Sequence, residues 1–244
     1  METGLFIACA ALTAACALIA VYFMKAFREK TYDRAAILKT AAGLCFLMIG
    51  VLFAAGMSGD KRFAWLVAAG LAFGVLGDLL LAIRFIRPAQ HDRFFVSGAL
   101  SFAVGHWLYI YAMLTKYSVS FPVVLTVGIV GLAAATTYVK SKKADAGRLM
   151  VFGSVYMAMV VAMGAVSISA ATVSVSAATL LFAVGGVTFP ISDSILSAYS
   201  FGPDKHFGLN IGVHATYYLA QICIAWSLAF VWHSYIFSLY WLLK

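Results

Sequence analysis

Two aspartates, Asp78 and Asp193, lie inside long apolar stretches of the sequence, and they are the side chains best suited to chemistry. The other seven of the nine acidic residues lie in polar connections or near a terminus. One carboxyl group in an apolar interior can stay protonated and act as a general acid while a second stays ionised as a base. The two residues therefore indicate acid/base catalysis, although aspartates can also hydrogen-bond between helices as structural groups.

Further polar side chains recur at helical spacing within the apolar stretches. His106 stands three residues before Tyr109, which places both on one helical face. Four polar groups share one face of the last apolar stretch: His214, Tyr217, Tyr218 and Gln221. Two more candidates are a neighbour of Asp193 and a residue of the preceding stretch: Ser192 and Tyr156. We predict that these groups reach the same region of the protein as the two aspartates.

The composition identifies the medium in which these side chains lie. Of the 244 residues, 64% are hydrophobic and 11% are charged, and the mean hydropathy is +0.98. Soluble domains contain about 45–50% apolar and about 25% charged residues. The sequence therefore predicts an integral membrane protein and excludes a secreted domain or a cytosolic enzyme. The net charge of +8 does not indicate nucleic acid, because membrane proteins carry excess Lys and Arg on cytoplasmic connections.

A bilayer core about 30 Å thick needs roughly 20 residues of helix to cross it. Eight apolar stretches meet this requirement: 5–24, 35–55, 63–83, 95–114, 121–139, 149–167, 176–198 and 209–234. The stretch 167–176 contains no charge to mark a connection, so the sixth and seventh spans are the least distinct. We predict an all-α, multi-pass protein of about eight transmembrane helices that forms one polytopic domain over 1–244.

The distribution of basic residues predicts the orientation of the chain. The connections 1–2, 3–4, 5–6 and 7–8 hold 13 of the 17 Lys and Arg residues, with Lys39 and Arg84 among them. Because cytoplasmic connections are rich in Lys and Arg, both termini are predicted on the non-cytoplasmic side.

A zinc-dependent lipid amidase is an alternative kind of membrane hydrolase. Such a site needs about three histidines and a carboxylate around an open position. His106 and His214 are the only histidines well inside predicted spans, and the sequence has no HxxxH pair. A serine hydrolase is disfavoured as well, since no GxSxG motif occurs. The sequence therefore favours neither a zinc site nor a serine nucleophile.

Four motifs together resemble those of the YhhN family of membrane proteins, which includes the lysoplasmalogenases. They are GDLLL at 77–81, GALSFAVGHWLY at 98–109, GGVTFPISDSIL at 185–196 and YYLAQ at 217–221. Each motif is weak alone, but all four in this order are fairly specific, and the eight-span layout is similar. Tyr156 lies in a fifth, looser match. Pro190, three residues before Asp193, departs from the ordinary apolar residue expected there.

The resemblance implies hydrolysis of the vinyl ether bond of a lysoplasmalogen, a lysophospholipid, without a cofactor or a nucleic-acid partner. The expected pair of catalytic carboxyls is Asp78 and Asp193, with the roles of acid and base not assigned. Three side chains would orient water or lipid: His106, Tyr217 and Gln221. Three cations at the predicted cytoplasmic edge are candidates for the phosphate group: Arg84, Arg87 and Lys205.

Two other interpretations of the same aspartates stay open. A proton-coupled transporter or lipid-binding membrane protein would use Asp78 and Asp193 as a proton relay. Inverted repeats would favour transport, and the two halves show no convincing similarity. A scaffold would use the aspartates only to hold helices together.

Overall fold

The structure, a computed structural model, describes residues 2–57 and 59–242, with side chains described within 3–57 and 59–231. These residues form eight α-helices, and two of the connections contain a short 3-10 helix. The helices are α1 (Glu2–Arg28), α2 (Tyr32–Gly56), α3 (Lys61–Ile86), α4 (His91–Lys116), α5 (Phe121–Ser141), α6 (Met150–Val173), α7 (Ala177–Phe201) and α8 (Phe207–Leu242). All eight are long and apolar enough to cross a membrane. The predicted all-α architecture with eight spans is confirmed.

The connection between α6 and α7 is much shorter than the sequence suggests. α6 continues to Val173, so the break is confined to residues 174–176. Ser176 then starts α7 with a capping box, since its hydroxyl accepts a hydrogen bond from Thr179 N at 3.1 Å. Thr179 Oγ1 in turn accepts from Ser176 N at 3.0 Å. This reciprocal cap satisfies two backbone donors and marks a helix start that hydropathy alone does not reveal.

The chain forms two compact units, of which the first runs to Ala112 and takes in the chain from Ala225 onward. Within this unit, α2 packs against both α1 and α3. α3 and α4 approach closely because Gly70 faces Tyr109. A Cβ atom at position 70 would overlap the Tyr109 ring. Small residues of this kind let membrane helices pack without a hydrophobic driving force between them.

The second unit, Met113–Ile224, contains α5, α6, α7 and the first part of α8. α6 packs against α5 and α7, and α5 also contacts α7. α6 and α7 meet at Gly164 and Gly186, where a Cβ at position 164 would lie 2.6 Å from the Gly186 carbonyl oxygen. α7 runs through Pro190, which lacks a backbone N–H and so removes one intrahelical hydrogen bond.

Several cations that the sequence analysis counted with the connections lie inside helices, and two of them are buried there, so the assignment to a connection is wrong for these two. Lys39 belongs to α2, and Arg84 belongs to the last turn of α3; both are buried. The Arg84 guanidinium carbon lies 4.6 Å from the Phe85 ring centre and 5.2 Å from that of Phe95. Aromatic faces attract cations, which offsets part of the cost of burying this charge. The orientation of the termini and the single polytopic domain stay predictions.

Candidate functional site

Asp78 is held in the first unit by an ion pair that joins two helices. Its side chain is 1% exposed, and its Oδ1 lies 3.1 Å from Nζ of Lys39 on α2. The ammonium also lies 5.9 Å from the ring centre of Phe23 on α1. Because a lone buried charge is expensive, the ammonium compensates the carboxylate while the lysine stem packs among apolar groups. Lys39 is therefore part of the candidate site, and the sequence analysis missed it.

The α3–α4 contact places His106 and Tyr109 in the interior of the same unit. Both side chains are buried, and their rings lie 6.3 Å apart in an edge-to-face arrangement. Tyr109 packs on Gly70 of α3, so its position is set by the absence of a side chain there. Ser101 adds a hydrogen bond from its hydroxyl to the Phe73 carbonyl at 2.7 Å. The predicted shared face of His106 and Tyr109 is thus a buried face.

Asp193 lies in the second unit and accepts a hydrogen bond from a phenol. It is 6% exposed, and the Tyr156 hydroxyl donates to its Oδ2 across 2.7 Å. Tyr156 comes from α6, as the sequence analysis expected. A hydrogen bond from a hydroxyl group to an ionised carboxylate is among the strong ones in proteins, and this contact fixes the orientation of the Asp193 side chain. The contact joins two of the predicted site residues directly.

The serines on either side of Asp193 bond to backbone carbonyls. Ser192 Oγ donates to the carbonyl oxygen of Val213 on α8 at 2.9 Å, which ties α7 to α8. Ser194 Oγ donates to the carbonyl oxygen of Pro190 at 2.7 Å. These bonds satisfy both hydroxyl protons, so Ser192 can offer a substrate or water only its oxygen as an acceptor.

The polar face of α8 is buried in the second unit. All four predicted residues are largely shielded: His214, Tyr217, Tyr218 and Gln221. Gln221 Nε2 donates to the Tyr217 hydroxyl at 3.2 Å, and the Tyr217 ring meets Phe189 of α7 edge-on at 5.5 Å. His214 Nδ1 lies 2.8 Å from the Asn210 carbonyl oxygen, so that nitrogen is the donor. This arrangement leaves Nε2 of a neutral His214 as an acceptor.

Asn210 is a second buried polar residue that the sequence analysis missed. It stands one turn before His214 on α8, so the same spacing rule could have found it. Among the described residues, its Oδ1 is a buried oxygen without a hydrogen-bond partner. A buried acceptor of this kind could accept a hydrogen bond from water or from a hydroxyl of a ligand.

The three cations proposed for a phosphate group differ in their surroundings. Arg84 is buried beside two aromatic rings, whereas Arg87 and Lys205 are exposed. Lys205 Nζ donates to the carbonyl oxygens of Tyr199 at 2.6 Å and Ser200 at 2.9 Å. Lys205 therefore caps the last turn of α7, where the helix dipole favours a positive charge.

Eight apolar helices, each long enough to span a bilayer, define a multi-pass integral membrane protein with a buried aspartate in each of its two units. The chain belongs to the YhhN family, whose profile matches residues 34–228. The match covers all four motifs from which the resemblance was drawn. No curated protein matches the chain. No solved structure matches it either.

Proposed function

We propose that this protein is a membrane hydrolase that cleaves the vinyl ether bond of lysoplasmalogens, with Asp78 and Asp193 as the catalytic carboxyls. The YhhN family is known for lysoplasmalogenase activity, which supports the substrate class. The observation that carries the catalytic assignment is the buried Asp193 carboxyl with the Tyr156 phenol 2.7 Å away. A buried, hydrogen-bonded acid inside a membrane span supports the hypothesis of a functional site.

Vinyl ether hydrolysis begins with a proton transfer to carbon and another from water, which suits two carboxyl groups. One carboxylic acid donates its proton to the alkenyl carbon distant from the ether oxygen, and the resulting cation is stabilised by that oxygen. Water adds to the cation and gives a proton to a carboxylate. The hemiacetal formed in this way then loses its hydroxyl proton while the departing glycerol oxygen gains one, which gives a fatty aldehyde and glycerophospho-ethanolamine or -choline. His106, Tyr217 and Gln221 would orient the water and the lipid during these steps.

Aldehyde release by the detergent-purified protein from an alkenyl lysophospholipid tests this proposal. We expect release by the wild type and a loss of about 100-fold or more in Asp78→Asn and Asp193→Asn, since general acid–base groups contribute about that much. Asp145→Asn is the matched control, because Asp145 is exposed and lies in the α5–α6 connection. Wild-type protein that releases no product from alkenyl, alkyl or acyl lysolipids would remove the enzyme assignment.

The buried Lys39–Asp78 pair gives a second candidate function. Paired charges inside membrane spans are typical of proton relays in transporters. A proton-coupled carrier in liposomes would show solute uptake that depends on an imposed pH gradient. The hydrolase would release aldehyde in detergent with no gradient present, so the two functions give opposite results in these two assays.

A further inference from the structure

A cavity of about 420 Å³ lies between three helices of the second unit. It is bounded by α5, α6 and α7, and its walls are made chiefly of small or aliphatic side chains. Representative lining residues are Gly131, Ala134, Val161, Ala165, Val187 and Ile191. Cavities of a few hundred cubic ångströms between helices are common sites for small ligands in proteins.

The walls of this cavity fit an uncharged, apolar occupant. Among the described residues that line it, none is charged, and the hydroxyl-bearing side chains are Tyr138 and Ser194. The Ser194 hydroxyl already donates to the Pro190 carbonyl one turn earlier. A headgroup or another polar solute would lose its hydration here without gaining polar partners. A hydrocarbon chain has no such hydration to lose when it enters the cavity.

The outer wall of the cavity faces the outside of the protein. Ala134 on α5 and both Val187 and Ile191 on α7 line the cavity and are exposed. Because α5 and α7 are membrane-spanning helices, the medium at these side chains is lipid. A chain can therefore enter sideways from a leaflet, without passing through water.

The cavity lining includes the residue next to Asp193, whose hydrogen bond carries the proposed function. Ser194, which lines the cavity, directly follows Asp193. Its Oγ lies 4.0 Å from Sδ of Met157, the residue directly after Tyr156. The Ser194–Met157 contact and the Asp193–Tyr156 contact thus join the same turns of α6 and α7. The apolar space and the polar pair are therefore adjacent along α7, while on α6 the cavity lining begins at Val161, one turn beyond Met157.

We propose that this cavity binds the single hydrocarbon chain of the lysolipid substrate, with the vinyl ether end of the chain toward Asp193. The inference rests on the proposed function and names the subsite that selects the chain. A volume of about 420 Å³ lies within the range of about 300–1,000 Å³ that is typical of ligand pockets. The cavity therefore favours chains that it can enclose over much longer ones, whose ends would lie outside it.

Ala134→Phe tests the subsite, and Ala133→Phe is its matched control. Both alanines are exposed on α5, but only Ala134 lines the cavity. The assay uses alkenyl lysolipids with chains of about 8 to 18 carbons. We expect Ala134→Phe to shorten the preferred chain by about four to six carbons, since the substitution adds six carbons to the side chain that lines the cavity. Long chains should lose about tenfold or more in kcat/KM, because apolar pockets discriminate single methylenes to that extent. Ala133→Phe should keep the wild-type chain profile.

A binding measurement separates the subsite from the reaction. A lysolipid with a diazirine near the end of its chain should crosslink to α5, α6 and α7 in the wild type and much less in Ala134→Phe. Val187→Phe, on the opposite wall, provides a second variant and should reduce crosslinking in the same way. If both variants release aldehyde with the wild-type preference for chain length, and their crosslinks are also unchanged, the proposed subsite is overturned. Crosslinks at the cavity without aldehyde release would instead overturn the proposed function and leave a lipid-binding site.

Discussion

The ion pair between α2 and α3 makes a sharp prediction about stability. Lys39→Met keeps a long apolar stem but removes the ammonium 3.1 Å from the Asp78 carboxylate. At that separation, an effective dielectric constant of about 20 gives an attraction of about 5 kcal/mol. Breaking one side of a buried pair typically costs about 3–5 kcal/mol, because the other charge stays buried. We expect Lys39→Met to lower the free energy of unfolding by an amount in this range.

Reversible unfolding in mixed micelles with increasing SDS measures this free energy without any need for activity. The set comprises the wild type, Lys39→Met, Asp78→Asn and the double variant. Each single variant leaves a buried polar group without its charged partner, whereas the double variant removes both charges. The double variant should therefore be less destabilised than the sum of the single ones, by about 2 kcal/mol or more. Lys140→Met, at an exposed position in the last turn of α5, should change stability by less than about 0.5 kcal/mol.

Two results would refute this reasoning. The first is a change below about 1 kcal/mol in Lys39→Met, which would mean that the carboxylate does not depend on the ammonium. The second is strict additivity of the two single variants, which would mean that the two side chains do not interact. Either outcome would show that the ion pair does not hold α2 and α3 together.

Three further predictions concern single contacts and the orientation of the chain. Tyr156→Phe should lower turnover by about 10- to 100-fold, because it removes a hydrogen bond to the α7 carboxyl group; an unchanged rate would separate this phenol from the chemistry. Gly70→Ala should destabilise the protein by about 1–3 kcal/mol in the SDS titration, since its Cβ would overlap an aromatic ring. Gly153→Ala, with nothing within 4 Å, should be neutral or stabilising. In intact cells, an impermeant maleimide should label Ser118→Cys and spare Lys30→Cys, both at exposed positions; the reverse pattern would invert the predicted orientation.

The helices could be predicted from the sequence because each span is a local property. An apolar run of about 20 residues must be helical in lipid, whatever its neighbours are. The buried face of α8 was predictable for a similar reason, since offsets such as those from His214 to Tyr217 and Gln221 follow from the helical repeat alone. The spacing indicated that these side chains share one face of α8, and that face is buried in the structure.

The partner of Asp78 could not be predicted, because contacts between helices depend on rotation and register. Lys39 falls within the predicted span 35–55, yet as a basic residue near its start it was counted with the connection. Its long stem allows the ammonium to reach Asp78 on α3, a contact that sequence spacing does not specify. Arg84 was misplaced in the same way, since aromatic rings of α3 and α4 shelter it in the last turn of α3. The connection count therefore overestimates the charge outside the helices.

The polar side chains inside the spans fall into two groups with different requirements. Hydroxyls can donate to their own helix, as Thr40 does to the carbonyl oxygen of Ala36 at 2.9 Å. An ionised carboxylate only accepts hydrogen bonds, so it must take its donor from elsewhere, as Asp78 does from α2 and Asp193 from α6. An Asn side chain at either position has an amide that can donate to the carbonyl one turn earlier, so it need not depend on another helix. A folded Asp193→Asn protein without activity would consequently point to lost proton transfer, whereas an aspartate that only joins helices would reveal itself in the unfolding free energy.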